Sequence, residues 1–146
     1  MNKKMNKKGF SLVELAIGLA VVAILILAVS MSSGIQDNAR VQSAANSVQS
    51  LRSAAENYLV SGKVSYTGIS LDALKTSKFL PDNFNATGTN PWGGDFILAT
   101  NSDATRYDIS LSGLKQQDAD KLTAYFSGNA SRTVFDASAG TWTVTF

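Results

Sequence analysis

Hydrophobic positions fall along this chain in three patterns, and each predicts a different element. From Leu15 to Val29 they are continuous, broken only by Gly18, and no charged residue occurs between Glu14 and Asp37. A helix of that composition is apolar on every side and must be covered by lipid or by other helices. The block is close to the roughly 20 apolar residues that cross a bilayer as a helix. From Val41 onward the pattern changes. Val41, Ala44, Ala45, Val48, Leu51, Ala55, Tyr58 and Leu59 recur at steps of three and four, one stripe of an amphipathic helix. Gln42, Asn46, Gln49, Arg52 and Glu56 lie between them, the last two spaced as an i,i+4 ion pair. No proline interrupts residues 1–80. The two patterns therefore predict one helix from Phe10 to Val60, stopped by Ser61-Gly62 and roughly 75 Å long at 1.5 Å per residue. Gly34 lies near the join. Ala16, Gly18, Ala20, Ala23 and Ser30 are small enough for close helix approach, although such residues are also ordinary in membrane helices.

The third pattern is alternation, and it fills the C-terminal third. Four strands are predicted at Phe96–Thr100, Arg106–Leu111, Thr133–Asp136 and Thr141–Phe146, with Trp142, Val144 and Phe146 on one face of the last. Asn101-Ser102-Asp103-Ala104 and Ala137-Ser138-Ala139-Gly140 read as turns, giving two hairpins. Between the hairpins, Lys115 to Phe126 is helical in spacing, with Leu114, Leu122 and Phe126 on one side. Residues 62–90 connect the two regions. They hold a short helix that starts at the N-cap Ser70, continues through Leu71-Asp72-Ala73-Leu74 and is ended by Phe79-Leu80-Pro81. Asn90-Pro91-Trp92-Gly93-Gly94-Asp95-Phe96 is a turn feeding a strand, with an aromatic ring available to pack on the long helix.

Charge and composition narrow what such a chain does. Its 146 residues suit one domain, and its net charge of +2 is misleading. Lys3, Lys4, Lys7 and Lys8 supply four of the 13 basic residues; without residues 1–9, nine basic residues face 11 acidic ones, a net of −2. The basicity thus belongs to the N-terminal segment and supports no nucleic-acid partner. It supports an orientation instead, because lysines beside a membrane helix stay on the cytoplasmic side and leave the C-terminal part outside. There is no cysteine and no histidine. Lipoprotein attachment, disulfides and Cys-ligated metals are thereby excluded, and the commonest general base and zinc ligand are missing. No enzymatic activity is expected. Gly93-Gly94 is too short for a phosphate loop. Asp118 with Asp120, or Asp103 with Asp108, could join a calcium set, but solvated surface acids are the plainer reading and no cofactor is expected.

The remaining chemistry is at the N-terminus. A secretory signal places its cleavage site after its apolar region; here the candidate site, Gly9, precedes it. Glu14 stands at the lip of the apolar run, where a carboxylate carried to the bilayer centre costs about 2.5–3.5 kcal/mol. No cationic side chain occurs from Phe10 to Gln36. Cleavage after Gly9 would create a cation, the α-amino group of Phe10, which titrates at about 7.7–8.0. That amine lies about one helical turn from Glu14 of its own chain, or meets Glu14 of an axially offset neighbour. An uncleaved signal anchor is the simpler alternative.

Lys7-Lys8-Gly9-Phe10-Ser11-Leu12-Val13-Glu14-Leu15 resembles the class III signal of type IV prepilins and type II secretion pseudopilins. The element beginning Asn90-Pro91-Trp92-Gly93 resembles the start of the sheet in pseudopilins and several pilins. The order of hairpin, helix and hairpin resembles the heads of type IVb pilins, which usually carry a disulfide that this chain lacks. The resemblance implies an α+β pilin fold: a long N-terminal helix, half hydrophobic and half amphipathic, packed on an antiparallel sheet of about four strands with short additional helices. It implies a prepilin peptidase that cuts between Gly9 and Phe10 and methylates Phe10, with Glu14 guiding filament assembly. The expected organisation is a leader at 1–9, a hydrophobic transmembrane and filament-core helix at 10–33, its amphipathic half at 34–61 and a head at 62–146, divided into a connecting region at 62–90 and the sheet at 91–146. Expected partners are further pilin subunits in a homopolymer, the peptidase, an inner-membrane assembly platform with its ATPase-driven machinery, and the membrane before assembly. The precursor is expected in the bacterial inner membrane as a single-pass protein with its head outside the cytoplasm, and the mature form in an extracellular type IV pilus. A secretion pseudopilin forming a short periplasmic piston stays open as the alternative, as does an anchored ectodomain that never polymerises.

Overall fold

The computed structural model describes residues 12–146, except the side chains of residues 12, 14, 15 and 23–33. The elements run α1 (Leu12–Val60), α2 (Leu71–Thr76), β1 (Phe96–Thr100), β2 (Tyr107–Leu111), α3 (Gln116–Phe126), β3 (Arg132–Asp136) and β4 (Thr141–Thr145). This is the α+β pilin arrangement expected from the sequence. The chain divides into two compact units, Met1–Gln36 and Asp37–Phe146. The expected start of the long helix at Phe10 lies outside the described residues.

In the second unit, α1 buries the predicted stripe. Ala44, Ala45, Val48, Leu51 and Ala55 are fully enclosed, and Ala54, which the stripe omitted, is enclosed with them. Alanines fit because a helix face lying on other elements leaves little depth for longer side chains. The helix ends where Gly62 takes a positive φ of 89°, a left-handed conformation that glycine adopts without a Cβ clash. The amides of Ser61 and Gly62 donate back to the carbonyls of Asn57 and Leu59, at 3.3 and 3.1 Å, and the Ser61 hydroxyl donates to the Tyr58 carbonyl at 2.7 Å.

The sheet has the order β1-β2-β4-β3, antiparallel throughout. Two hairpins are present as expected, but the C-terminal strand lies inside the sheet, between β2 and β3. Facing residues form inward rows, Phe96–Leu111–Trp142–Phe135 and Leu98–Ile109–Val144–Thr133. The first three members of each are buried and join one core cluster with the α1 stripe, Leu114, Leu122 and Phe126. Trp142 is the largest fully enclosed side chain, and its indole N–H donates to Thr123 Oγ1 at 3.0 Å. The Tyr107 ring meets Tyr66 edge-on at 4.5 Å. Burial pushes the Tyr107 hydroxyl up, far from ionisation, with the neighbouring Tyr66 adding to the shift. The chain's last residue closes the sheet, since Phe146 and Tyr107 exchange amide-to-carbonyl bonds at 3.1 and 3.3 Å.

Element bounds differ from expectation at a few residues. Ser70 caps α2 by accepting from the Ala73 amide at 3.1 Å, but α2 stops at Thr76, before Phe79-Leu80-Pro81. Lys78 takes a φ of 60°, and the Phe79 and Leu80 amides turn back to the Leu74 carbonyl. Lys115 is the N-cap of α3, extended in backbone, so the helix proper starts at Gln116.

Asn90 carries the turn into β1. It is 4% exposed, and its side chain makes four bonds: Nδ2 donates to the carbonyls of Ser112 (2.7 Å) and Asp95 (3.3 Å), while Oδ1 accepts from the amides of Trp92 (3.0 Å) and Gly94 (2.9 Å). A Cβ on Gly94 would collide with the Ser112 carbonyl, so the close approach of β1 to the end of β2 requires glycine there. This polar clamp ties the two strands without a disulfide.

Candidate assembly surface

In the first unit, α1 carries apolar side chains that no other element covers. Ile17, Leu19, Val21 and Val22 are 59, 65, 50 and 52% exposed. At 100° per residue they point in three directions, so no side of this segment is suited to water. Among the described residues no helix is long and apolar enough to cross a membrane. Much of the expected span falls on residues 23–33, whose side chains lie outside the description. Glu14 lies on the α1 backbone, and its side chain is likewise outside. Gly9 and Phe10 are outside altogether, so the cleavage junction and the Phe10 amine's pairing with Glu14 remain expectations from sequence.

In the second unit, the exposed flank of α1 carries a cleft of about 250 Å³ lined by Gln49, Arg52, Ser53, Glu56, Phe126 and Asn129. Arg52 and Glu56 form the anticipated pair at 2.8 Å. Two further contacts of Arg52 were not legible from spacing: its guanidinium lies 4.7 Å from the Phe146 ring centroid and donates to the Asn129 carbonyl at 3.4 Å. Arg52 therefore fastens the helix to Phe146, the residue that follows β4. An Arg placed one turn before a Glu signals the ion pair but not the aromatic ring that it covers.

The structure does not assemble the candidate calcium residues. Asp118 is buried in the first turn of α3, whereas Asp120 is exposed and accepts from Gln116 at 2.8 Å. Two residues apart on a helix, they face different ways. Asp103 is taken up by Thr105, whose hydroxyl and amide hydrogen bonds hold its carboxyl below the usual carboxylate range. Asp108 accepts from Asn101 (2.9 Å to each oxygen) and from Thr145 (2.6 Å). Among the described residues no three acidic side chains form a metal site.

The long helix and the four-stranded antiparallel sheet form the α+β pilin arrangement, and the head keeps the hairpin–helix–hairpin order that resembles the b type. Comparison with known proteins agrees with that class. The model of the prokaryotic N-terminal methylation motif matches residues 4–30, and the bundlin model matches residues 33–146. The chain belongs to the bundlin family. It is 32% identical over 139 residues to the major structural subunit of bundle-forming pilus of Escherichia coli O127:H6 (strain E2348/69 / EPEC), covering 90% of this chain and 71% of that protein. The subunit of the same name from Escherichia coli O111:H- matches to the same extent. The family points to a structural role, and the b-type resemblance of the head holds without a cysteine.

Proposed function

We propose that this chain is synthesised as a single-pass precursor in the bacterial inner membrane and polymerises into an extracellular pilus. Residues 1–9 are the leader, 10–33 the hydrophobic helix that passes from membrane to filament core, 34–61 its amphipathic half, and 62–146 the head. Prepilin peptidase cuts between Gly9 and Phe10 and methylates Phe10. Glu14 then pairs with the Phe10 amine, which sets the register of each added subunit. An assembly platform and its ATPase-driven machinery lift the subunit, and the chain performs no catalysis of its own.

The observation that carries this reading is the apolar surface of α1 between Ile17 and Val22, exposed in three directions. Burying such helices side by side yields about 25 cal/mol per Å², enough to hold a filament without covalent links. The bundlin match across the whole head favours a pilus over a short secretion piston. Electron microscopy of sheared surface material should show long fibres that react with antibody to the head. Antigen confined to the cell envelope would instead favour the piston.

A further inference from the structure

Resting on the filament reading, a second kind of contact between copies can be drawn from the edge of the sheet. β3 is a terminal strand. Among the described residues, its backbone makes no hydrogen bond other than those to β4. The opposite edge is partly occupied, since the Phe96 amide of β1 donates to the Ala86 carbonyl at 2.8 Å. An open strand edge is a template for pairing with another strand.

The sequence of that edge is self-complementary. β3 reads Arg132-Thr133-Val134-Phe135-Asp136. Arg132, Val134 and Asp136 point to the outer, exposed face of the sheet, while Thr133 and Phe135 point inward. Antiparallel pairing of β3 with β3 of another copy, centred on Val134, sets Val134 against Val134. It also sets each Arg132 against the other copy's Asp136. Arg132 has no side-chain partner among the described residues. Asp136 uses Oδ1 for Ser138 and Ala139 and leaves Oδ2 open. Charges of one sign would repel a second copy, which is how guarded edges work. Here the signs at the mirror positions are opposite, and cross-strand pairs of that kind contribute about 0.2–1 kcal/mol each.

We infer that β3 is a homotypic interface, by which the head pairs with a second copy of this chain through a two-fold, antiparallel β3–β3 contact. Such a contact is isologous. A helical series of head-to-tail copies is polar and contains no two-fold between its members. The pairing therefore joins copies from two filaments and acts in lateral association, not in elongation.

The absence of cysteine makes the geometry measurable. Directly opposed residues of an antiparallel pair have Cα atoms about 4.5–5.5 Å apart, within the range a disulfide spans. Val134→Cys in the full chain, oxidised in sheared filaments and in detergent-solubilised protein, should give a disulfide-linked dimer on a non-reducing gel. Ile97→Cys, on the outer face of the other edge strand, should stay monomeric. Adding Arg132→Glu to Val134→Cys should cut the dimer yield about tenfold, two pairs having turned repulsive. Asp136→Asn, which keeps the turn's acceptor, should then restore part of it. Monomeric Val134→Cys, equal cross-linking at Ile97, or indifference to Arg132→Glu would each overturn the interface. Micrographs of the same preparations report separately on whether filaments form.

Discussion

Glu14→Ala should abolish filaments while leaving cleavage, membrane insertion and the folded head intact. The reasoning concerns the charge left behind. Cutting after Gly9, as proposed, would create a cationic amine on Phe10, and no charged side chain other than Glu14 occurs along residues 10–36. In a helix-lined, water-poor filament core, an ion deprived of its partner costs about 3–5 kcal/mol. That corresponds to roughly 10² to 4 × 10³ in the equilibrium for adding each subunit, and the penalty recurs at every addition. Filaments in the sheared fraction should fall below detection, whereas the cell-associated subunit keeps its mature size. Filaments at normal yield from Glu14→Ala would sink the pairing account. Glu14→Gln should fail nearly as completely, because the amide keeps the size but not the charge.

The second large effect is expected in the head. Trp142→Ala removes the largest fully enclosed side chain, at the centre of an inward row that reaches from β1 to β3. Large aromatic truncations in a core cost about 3–5 kcal/mol, a large part of the roughly 5–15 kcal/mol that holds a typical domain together. The indole's bond to Thr123 is lost as well, which loosens α3 against the sheet. The thermal midpoint of the detergent-solubilised chain, followed by near-ultraviolet circular dichroism, should drop by about 15–25 °C. Ile97→Ala, on the solvent side of β1, should shift it by no more than a few degrees. A Trp142→Ala midpoint within a few degrees of the parent would contradict the assignment of β4 to the middle of the core.

That central position was not legible in the sequence. Alternation marked Thr141–Phe146 as a strand and gave its inward face correctly, because side-chain direction depends on residues two apart. The neighbours of β4 depend on pairing across long loops. Two hairpins in succession are compatible with several sheet orders, and only the register of Ser110 with Thr143 and of Val134 with Thr143 settles this one. The α1 stripe was legible for the same local reason as the strand faces. Asp118 was not, since a carboxylate in the first turn of α3 reads as solvated until the packing of α3 is known. Local backbone turns were equally hidden: α2 ends two residues before a lysine takes a left-handed conformation, which spacing does not encode. The assembly chemistry shows the reverse balance. The roles of Gly9, Phe10 and Glu14 rest on charge, chain position and resemblance alone, because Gly9, Phe10 and the Glu14 side chain lie outside the described residues.

The bundlin family and the open β3 edge divide the surface of the subunit by task. Exposed aliphatic residues on α1 suit burial among other helices, and the self-complementary Arg132–Asp136 edge suits pairing with another strand. Asp136 is held charged over most of the pH range, because the hydroxyl of Ser138 and the amides of Ala139 and Ser138 keep its carboxyl below the usual carboxylate range.

The central claim, that a leader is removed so that α1 can polymerise from a new N-terminus, is tested most directly by the mass of the N-terminal peptide from sheared filaments. The account predicts a chain that begins at Phe10 and carries one methyl group on its α-nitrogen. Filaments whose subunits retain residues 1–9, or begin at an unmodified residue beyond Glu14, would contradict it.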